Sequence, residues 1–312
     1  MGRKKKRNTW QWIILVAACV AGLNAYRNIS ANDATDDGAL ESVTAAYEEN
    51  ETSDVEAQPV ATAKEEGKTE EADTWEQENA ISGLEVPVNV SMKAPEQMLR
   101  RTGYVTSYNK DTRTPNWVGW VLTAEHTDGD NTRQKKFLED EDVPEPRALY
   151  SDIREGECGY QRGHICPAAD NKWSYKAQKD AFLMTNICPQ NGELNQRDWK
   201  YLEEECREWA KKYGKVYITA GPVFSGKSPK RVGENRVAVP DAFFKVVLTL
   251  GSDGRHPKAI GFIYDNADGQ HEMSYYVRTV DKVEETTGLD FFSQLDDDVE
   301  NKVEAQADLS EW

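Results

Sequence analysis

Tyr160-Gln-Arg-Gly-His164, then Thr185-Asn-Ile-Cys-Pro-Gln190, then Asn195-Gln-Arg-Asp-Trp199-Lys-Tyr-Leu-Glu203-Glu-Glu-Cys-Arg207 is the stretch on which the reading of this chain turns. Its last part carries Trp199, Leu202, Cys206 and Trp209–Ala210 at helical spacing, so the pattern predicts one helix from Asn195 to about Tyr213. Gly214 supplies the stop. On that helix Asn195, Trp199, Glu203 and Arg207 fall at i, i+4, i+8 and i+12, within an arc of about 120°. One face therefore presents an amide, a carboxylate and a guanidinium.

Outward from this stretch, aromatic and β-branched runs broken by turn residues read as strands: Gly103–Tyr108, Trp117–Thr123, Lys215–Ala220, Phe243–Leu250 and Ala259–Tyr264. The fold class is α+β, a mainly antiparallel sheet core flanked by helices. Of four histidines, His126, His256 and His271 lie in polar or turn sequence. His164 is the candidate catalytic imidazole.

The order Tyr-Gln-Arg-Gly-His, Thr-Asn-x-x-Pro-Gln, Asn-x-x-x-Trp-x-x-x-Glu-x-x-x-Arg resembles the DNA/RNA non-specific endonuclease family of the ββα-metal fold, which includes secreted bacterial nucleases and mitochondrial endonuclease G. The likeness runs from about Gly103 to Phe292, through Gly221-Pro-Val-Phe224, Val239–Lys245 and Thr287–Phe292. It implies hydrolysis of DNA and RNA phosphodiesters with little sequence preference, leaving 5′-phosphate and 3′-hydroxyl ends. No base-reading motif is present, and contacts confined to phosphate and sugar carry little sequence information. An imidazole suits deprotonation of the attacking water because its ordinary pKa lies near neutrality, so His164 is assigned as general base.

A hard cation suits shielding of the phosphoryl charge and stabilisation of the leaving oxygen: Mg²⁺ by preference, with Mn²⁺ or another divalent ion as the alternative. The resemblance makes Asn195 its direct protein ligand and Glu203 an orienter of its waters. Arg162 and Arg207, and less securely Arg133, are placed on the phosphate. Asn186 is placed on the His164 loop or the metal waters. The family has Asp where this chain has Gln161, which supplies no charge. The alternative reading is thus a catalytically weakened nucleic-acid-binding module of the same fold.

Taken over the whole chain, composition opposes a nucleic-acid partner, because 312 residues carry a net charge of −17. Residues 31–90 hold 17 acidic and two basic residues, and residues 281–312 hold 11 and two, while 91–280 is nearly balanced at 27 acidic to 28 basic. The acidity sits in the flanks. The chain divides into a signal peptide or N-terminal membrane anchor (1–26), an acidic disordered linker (27–92), the endonuclease domain (93–304) and an acidic tail (305–312). Met1–Arg7 is basic and residues 10–26 are uncharged, so export is expected, with the protein secreted or attached to the cell envelope through 10–26. Four cysteines in the folded segment of an exported chain favour disulfides, with Cys166–Cys188 the suggested pair.

Overall fold

Ala242–Thr249 is buried at all eight positions, as a strand covered on both faces must be. Its odd residues Phe243 and Val247 join one apolar cluster with Trp120, Ile218, Ile260 and Phe262. Its even residues Phe244, Val246 and Leu248 join another with Trp117 and Tyr217, the side chains alternating across the pleat. The computed structural model describes residues 83–312 apart from Lys227 and Gln270. The leader and most of the linker lie outside them.

In chain order the strands are β1 (Val88–Asn89), β2 (Gln97–Arg100), β3 (Val105–Asn109), β4 (Thr114–Thr123), β5 (Gln161–His164), β6 (Ile187–Gln190), β7 (Lys215–Val223), β8 (Arg231–Val232), β9 (Val237–Ala238), β10 (Ala242–Thr249), β11 (Lys258–Asp265), β12 (Val277–Arg278) and β13 (Leu289–Asp290). The helices are α1 (Glu155–Cys158), α2 (Tyr175–Ala181), α3 (Gly192–Gln196), α4 (Asp198–Tyr213), α5 (Met273–Tyr276), α6 (Val280–Thr287) and α7 (Asp297–Glu304). Seven strands form one antiparallel sheet in the order β12-β11-β10-β7-β4-β3-β2. The expected α+β architecture is what the chain adopts.

Helix α4 covers one face through Trp199, Leu202 and Trp209. Helices α6 and α7 cover the other through Val280, Val283 and Val303. Both edges of the folded region differ from the sequence reading. Residues 83–92, read as linker, are part of the fold: Glu85 is fully buried, Leu84 and Val86 pack on the core, and β1 pairs with β13. At the other end Trp312, read as tail, packs its ring against Trp209 and Tyr213.

Candidate active site

A second, two-stranded sheet stands apart from the main one. Strand β5 pairs antiparallel with β6 in the register Gln161↔Gln190, Arg162↔Pro189, Gly163↔Cys188 and His164↔Ile187. Gly163 is required by close approach, since a Cβ there would sit 2.1 Å from Gln190 Oε1. That is the physical content of the Arg-Gly-His triplet. Asn266 holds the end of β6 to the main sheet: its Nδ2 donates to the carbonyls of Pro189 and Pro240, and its Oδ1 accepts from the Asn191 amide at 2.7 Å. Asn191 then caps α3, accepting from the amides of Glu193 and Leu194.

The single helix expected from Asn195 onward is two helices. Arg197, at φ −123° and ψ −93°, breaks the chain between α3 and α4. The break lets Asp198 accept a 2.6 Å bond from the Tyr276 hydroxyl. It also sends Trp199 fully into the core, with ring centroids 5.6 Å from Phe243 and 5.9 Å from Tyr264. Asn195 thus stands on its own helix, and the expected four-residue face is not continuous.

Asn195 is nonetheless brought to the His164 strand. Its Nδ2 donates to Gln161 Oε1 at 2.8 Å, and Gln161 Nε2 donates in turn to Glu155 Oε1 at 2.9 Å. Gln161 lies three residues ahead of His164 on β5. With its nitrogen anchored, the Asn195 carboxamide turns its oxygen away from Gln161, and no group among the described residues hydrogen-bonds that oxygen. No three Asp, Glu, His or Cys ligands converge at this site among the described residues. A lone oriented carboxamide oxygen fits a hard divalent ion that keeps most of its waters.

His164 sits between two rings, with centroids 5.4 Å from Phe137 and 4.8 Å from Phe182, the latter edge-on. Its Nε2 is buried without a hydrogen-bond partner. Burial, aided by the charge of Arg133, pushes its pKa down to about 3, so the ring is neutral at pH 7. Asn186 is fully buried and fixes the loop beyond His164. Its Oδ1 accepts from the Cys166 amide, and its Nδ2 donates to the Cys166 and Ala181 carbonyls, all within 2.9 Å.

Behind these groups lies a charged floor. Burial raises Glu203 to about 7, assisted by Asp170 and opposed by Lys245, Arg207 and Arg133. Arg207 Nη1 donates to Asp170 Oδ1 at 2.9 Å, and Trp120 Nε1 donates to Asp170 Oδ2 at 3.1 Å. Lys245 is fully buried, with Nζ 4.4 Å from the Trp199 ring centroid and 5.6 Å from that of Trp120. The three arginines differ in availability. Arg207 is engaged with Asp170; Arg162 donates through Nη1 to the Tyr150 and Ile153 carbonyls while covering Phe137. Arg133 is exposed and lies 5.7 Å from the Phe182 centroid.

The disulfide expectation is corrected. Cys158, Cys166, Cys188 and Cys206 are all free thiols. The register sets Cys188 opposite Gly163, and Cys166, Cys188 and Cys206 fill the α4-side core as small apolar groups. Phe137, Phe182 and Asn266 escaped the sequence reading because they lie in unremarkable loops, and Glu155 and Asp170 because they lie on single short helical turns with no motif of their own. Lys245 left a signal, a lone charge within the apolar run Phe243–Leu250, which demands compensation if buried.

Comparison with known proteins agrees with this geometry. The sequence model described as DNA/RNA non-specific endonuclease matches residues 64–298. A zebrafish protein named "Nuclease EXOG, mitochondrial" is 36% identical over 62% of this chain, which spans 60% of that relative's length. Bovine "Endonuclease G, mitochondrial" is 35% identical, covering 64% of this chain and 70% of its own. A Nostoc protein named "Nuclease" is 31% identical over 68% of this chain and 78% of its own. The solved EndoG/EndoGI complex contains a chain that superposes with a TM-score of 0.60 at 28% identity, covering 65% of this chain and 89% of that one. These names correct the expectation of export to the cell envelope, since relatives from zebrafish, cattle, human and fission yeast are mitochondrial nucleases. No helix among the described residues is long and apolar enough to cross a membrane, and residues 10–26 lie outside them. With a family match over three quarters of its length and a ββα arrangement built by β5, β6 and the helices that follow, the chain belongs to the DNA/RNA non-specific endonuclease family.

Proposed function

We propose that this protein hydrolyses DNA and RNA phosphodiester bonds with the help of one divalent cation, Mg²⁺ by preference, using His164 as general base. The observation that carries this reading is the neutral imidazole with an unpartnered Nε2, on the strand whose Gln161 binds the Asn195 amide nitrogen and leaves its oxygen open. A neutral ring in the Nδ1–H tautomer carries a lone pair on Nε2 and is ready to take a proton from water. Asn195 would hold the cation through Oδ1, and the bound ion supplies charge shielding at the phosphate and leaving oxygen.

Glu203, on the charged floor, would orient the waters of a bound ion. Arg133 and Arg162 meet the non-bridging phosphate oxygens, Arg133 with its whole guanidinium and Arg162 with the nitrogens its carbonyl contacts leave over. Arg207 acts with them while pinned by Asp170. Asn186 has its amide committed to the loop, which supports loop positioning over contact with metal waters. Gln161 retains hydrogen bonds to both neighbours, which favours turnover over the weakened binding module. Binding weakens steeply with added salt, because it rests on phosphate contacts.

The test is digestion of plasmid DNA and of RNA, with and without Mg²⁺, by the wild type, His164→Ala and Asn195→Ala. Cleavage by the wild type alone, abolished by chelation, is expected. Equal cleavage by wild type and His164→Ala overturns the assignment, and wild-type binding without cleavage under any divalent ion favours the binding module.

A further inference from the structure

On the sheet face opposite α4, three carboxylates converge. Asp281 and Glu284 lie one turn apart on α6, which places them on the same side of the helix. Glu304 closes α7. One oxygen from each lies within 4.8 Å of the others. Two oxygens bound to one Ca²⁺ at about 2.4 Å stand at most about 4.8 Å apart, so the span matches a shared ion.

An acidic cluster alone proves little, but Glu304 is only 5% exposed, and its Oε1 is buried with no hydrogen-bond partner. A carboxylate is rarely left so without a counter-charge. The charges acting on it most strongly are those of Glu284, Glu300, Asp281 and Asp290, all of one sign. The neighbouring cation, Lys282, is engaged instead with Glu285 at 2.6 Å. Glu284 is fixed in place, since its Oε1 accepts from the Phe291 amide at 2.8 Å, leaving its second oxygen for a ligand. Asp281 is exposed, so an ion can enter from solvent.

We propose that Asp281, Glu284 and Glu304 form a second divalent-cation site, matched to Ca²⁺ by its all-oxygen, carboxylate-rich donors, that ties α6 to α7. Its occupant neutralises the repulsion among the three groups and locks the corner that closes the α6–α7 core. The site is separate from Asn195 and takes no part in phosphodiester cleavage. The larger ion is preferred because Ca²⁺ accepts several carboxylates in irregular geometry, whereas Mg²⁺ demands a near-ideal octahedron.

The experiment is thermal unfolding of the full chain in chelator and in millimolar Ca²⁺, for the wild type, Glu304→Gln, Asp281→Asn and Asn195→Ala. Wild type and Asn195→Ala should gain roughly 5 °C with Ca²⁺ if the ion is near 100 times its Kd. Glu304→Gln and Asp281→Asn should show no Ca²⁺-dependent gain while cleaving nucleic acid as the wild type does. Should Glu304→Gln fail to fold, Asp281→Asn decides. The proposal is overturned if Ca²⁺ leaves the wild-type midpoint unchanged, or if the gain survives in Asp281→Asn and vanishes in Asn195→Ala.

Discussion

His164 and Glu203 are both half-buried, and the two sides of the site use that partial loss of water in opposite ways. His164 is walled by Phe137 and Phe182, with only the positive charge of Arg133 acting on it, and its proton is driven off. Glu203 lies on a floor where Asp170, Arg207 and Lys245 are buried together, and burial drives a proton on. Desolvation penalises whichever form is charged, so one cause lowers a base and raises an acid. The apolar side keeps a lone pair free. The charged side is costly to build: Asp170 is paired with Arg207, while the Lys245 ammonium has no hydrogen-bond partner and rests on the Trp199 and Trp120 rings.

The comparison breaks most sharply at the base. His164→Ala should lower kcat on plasmid DNA by about 10²- to 10⁴-fold, with the fold intact by circular dichroism. Wild-type kcat in that variant would remove His164 from the chemistry. Next in size is the floor. Asp170→Ala leaves Arg207 and Lys245 without their shared counter-charge, and should cost about 3–5 kcal/mol in urea unfolding. A loss under 1 kcal/mol would show that the floor is not an interdependent network.

Stability against pH sharpens the contrast, because the two groups carry opposite signs. His164 titrates at 6.5 unfolded and about 3 folded, so its contribution is whole above 6.5 and is lost as pH falls toward 3. Glu203 titrates at 4.5 unfolded and about 7 folded. Its contribution is whole below 4.5 and is lost as pH rises through 7. Glu203→Gln should therefore gain stability relative to wild type between pH 5 and 8, on the order of 2 kcal/mol. Equal differences at the two pH values would contradict the raised acid.

The smallest effect belongs to the link between the two sides. Gln161→Leu cuts both hydrogen bonds of the Glu155–Gln161–Asn195 chain, and outer contacts of this kind change metal affinity about 10- to 100-fold. A tenfold higher Mg²⁺ concentration for half-maximal activity, with near-normal kcat at saturating metal, is expected. An unchanged requirement would mean that Asn195 orients itself.

How much of this was legible in sequence follows the range of each interaction. The strands Trp117–Thr123, Phe243–Leu250 and Ala259–Tyr264 announced themselves by local pattern, and so did the motif order around His164. The break at Arg197 did not, because apolar spacing continues through it and the bond that goes with it, Tyr276 to Asp198, comes from 78 residues away. The walls of the His164 pocket were equally hidden: Phe137 and Phe182 are ordinary loop residues until β5 brings His164 between them. Glu155 became visible as Gln161's partner only once α1 was folded against β5.

The central claim is that His164 stands neutral in its apolar walls, and NMR titration of its ring, assigned by comparison with His164→Ala, tests it directly. The His164 resonances should stay at their neutral-imidazole positions from pH 8 down to pH 5. A protonation step near 6.5 would contradict the account.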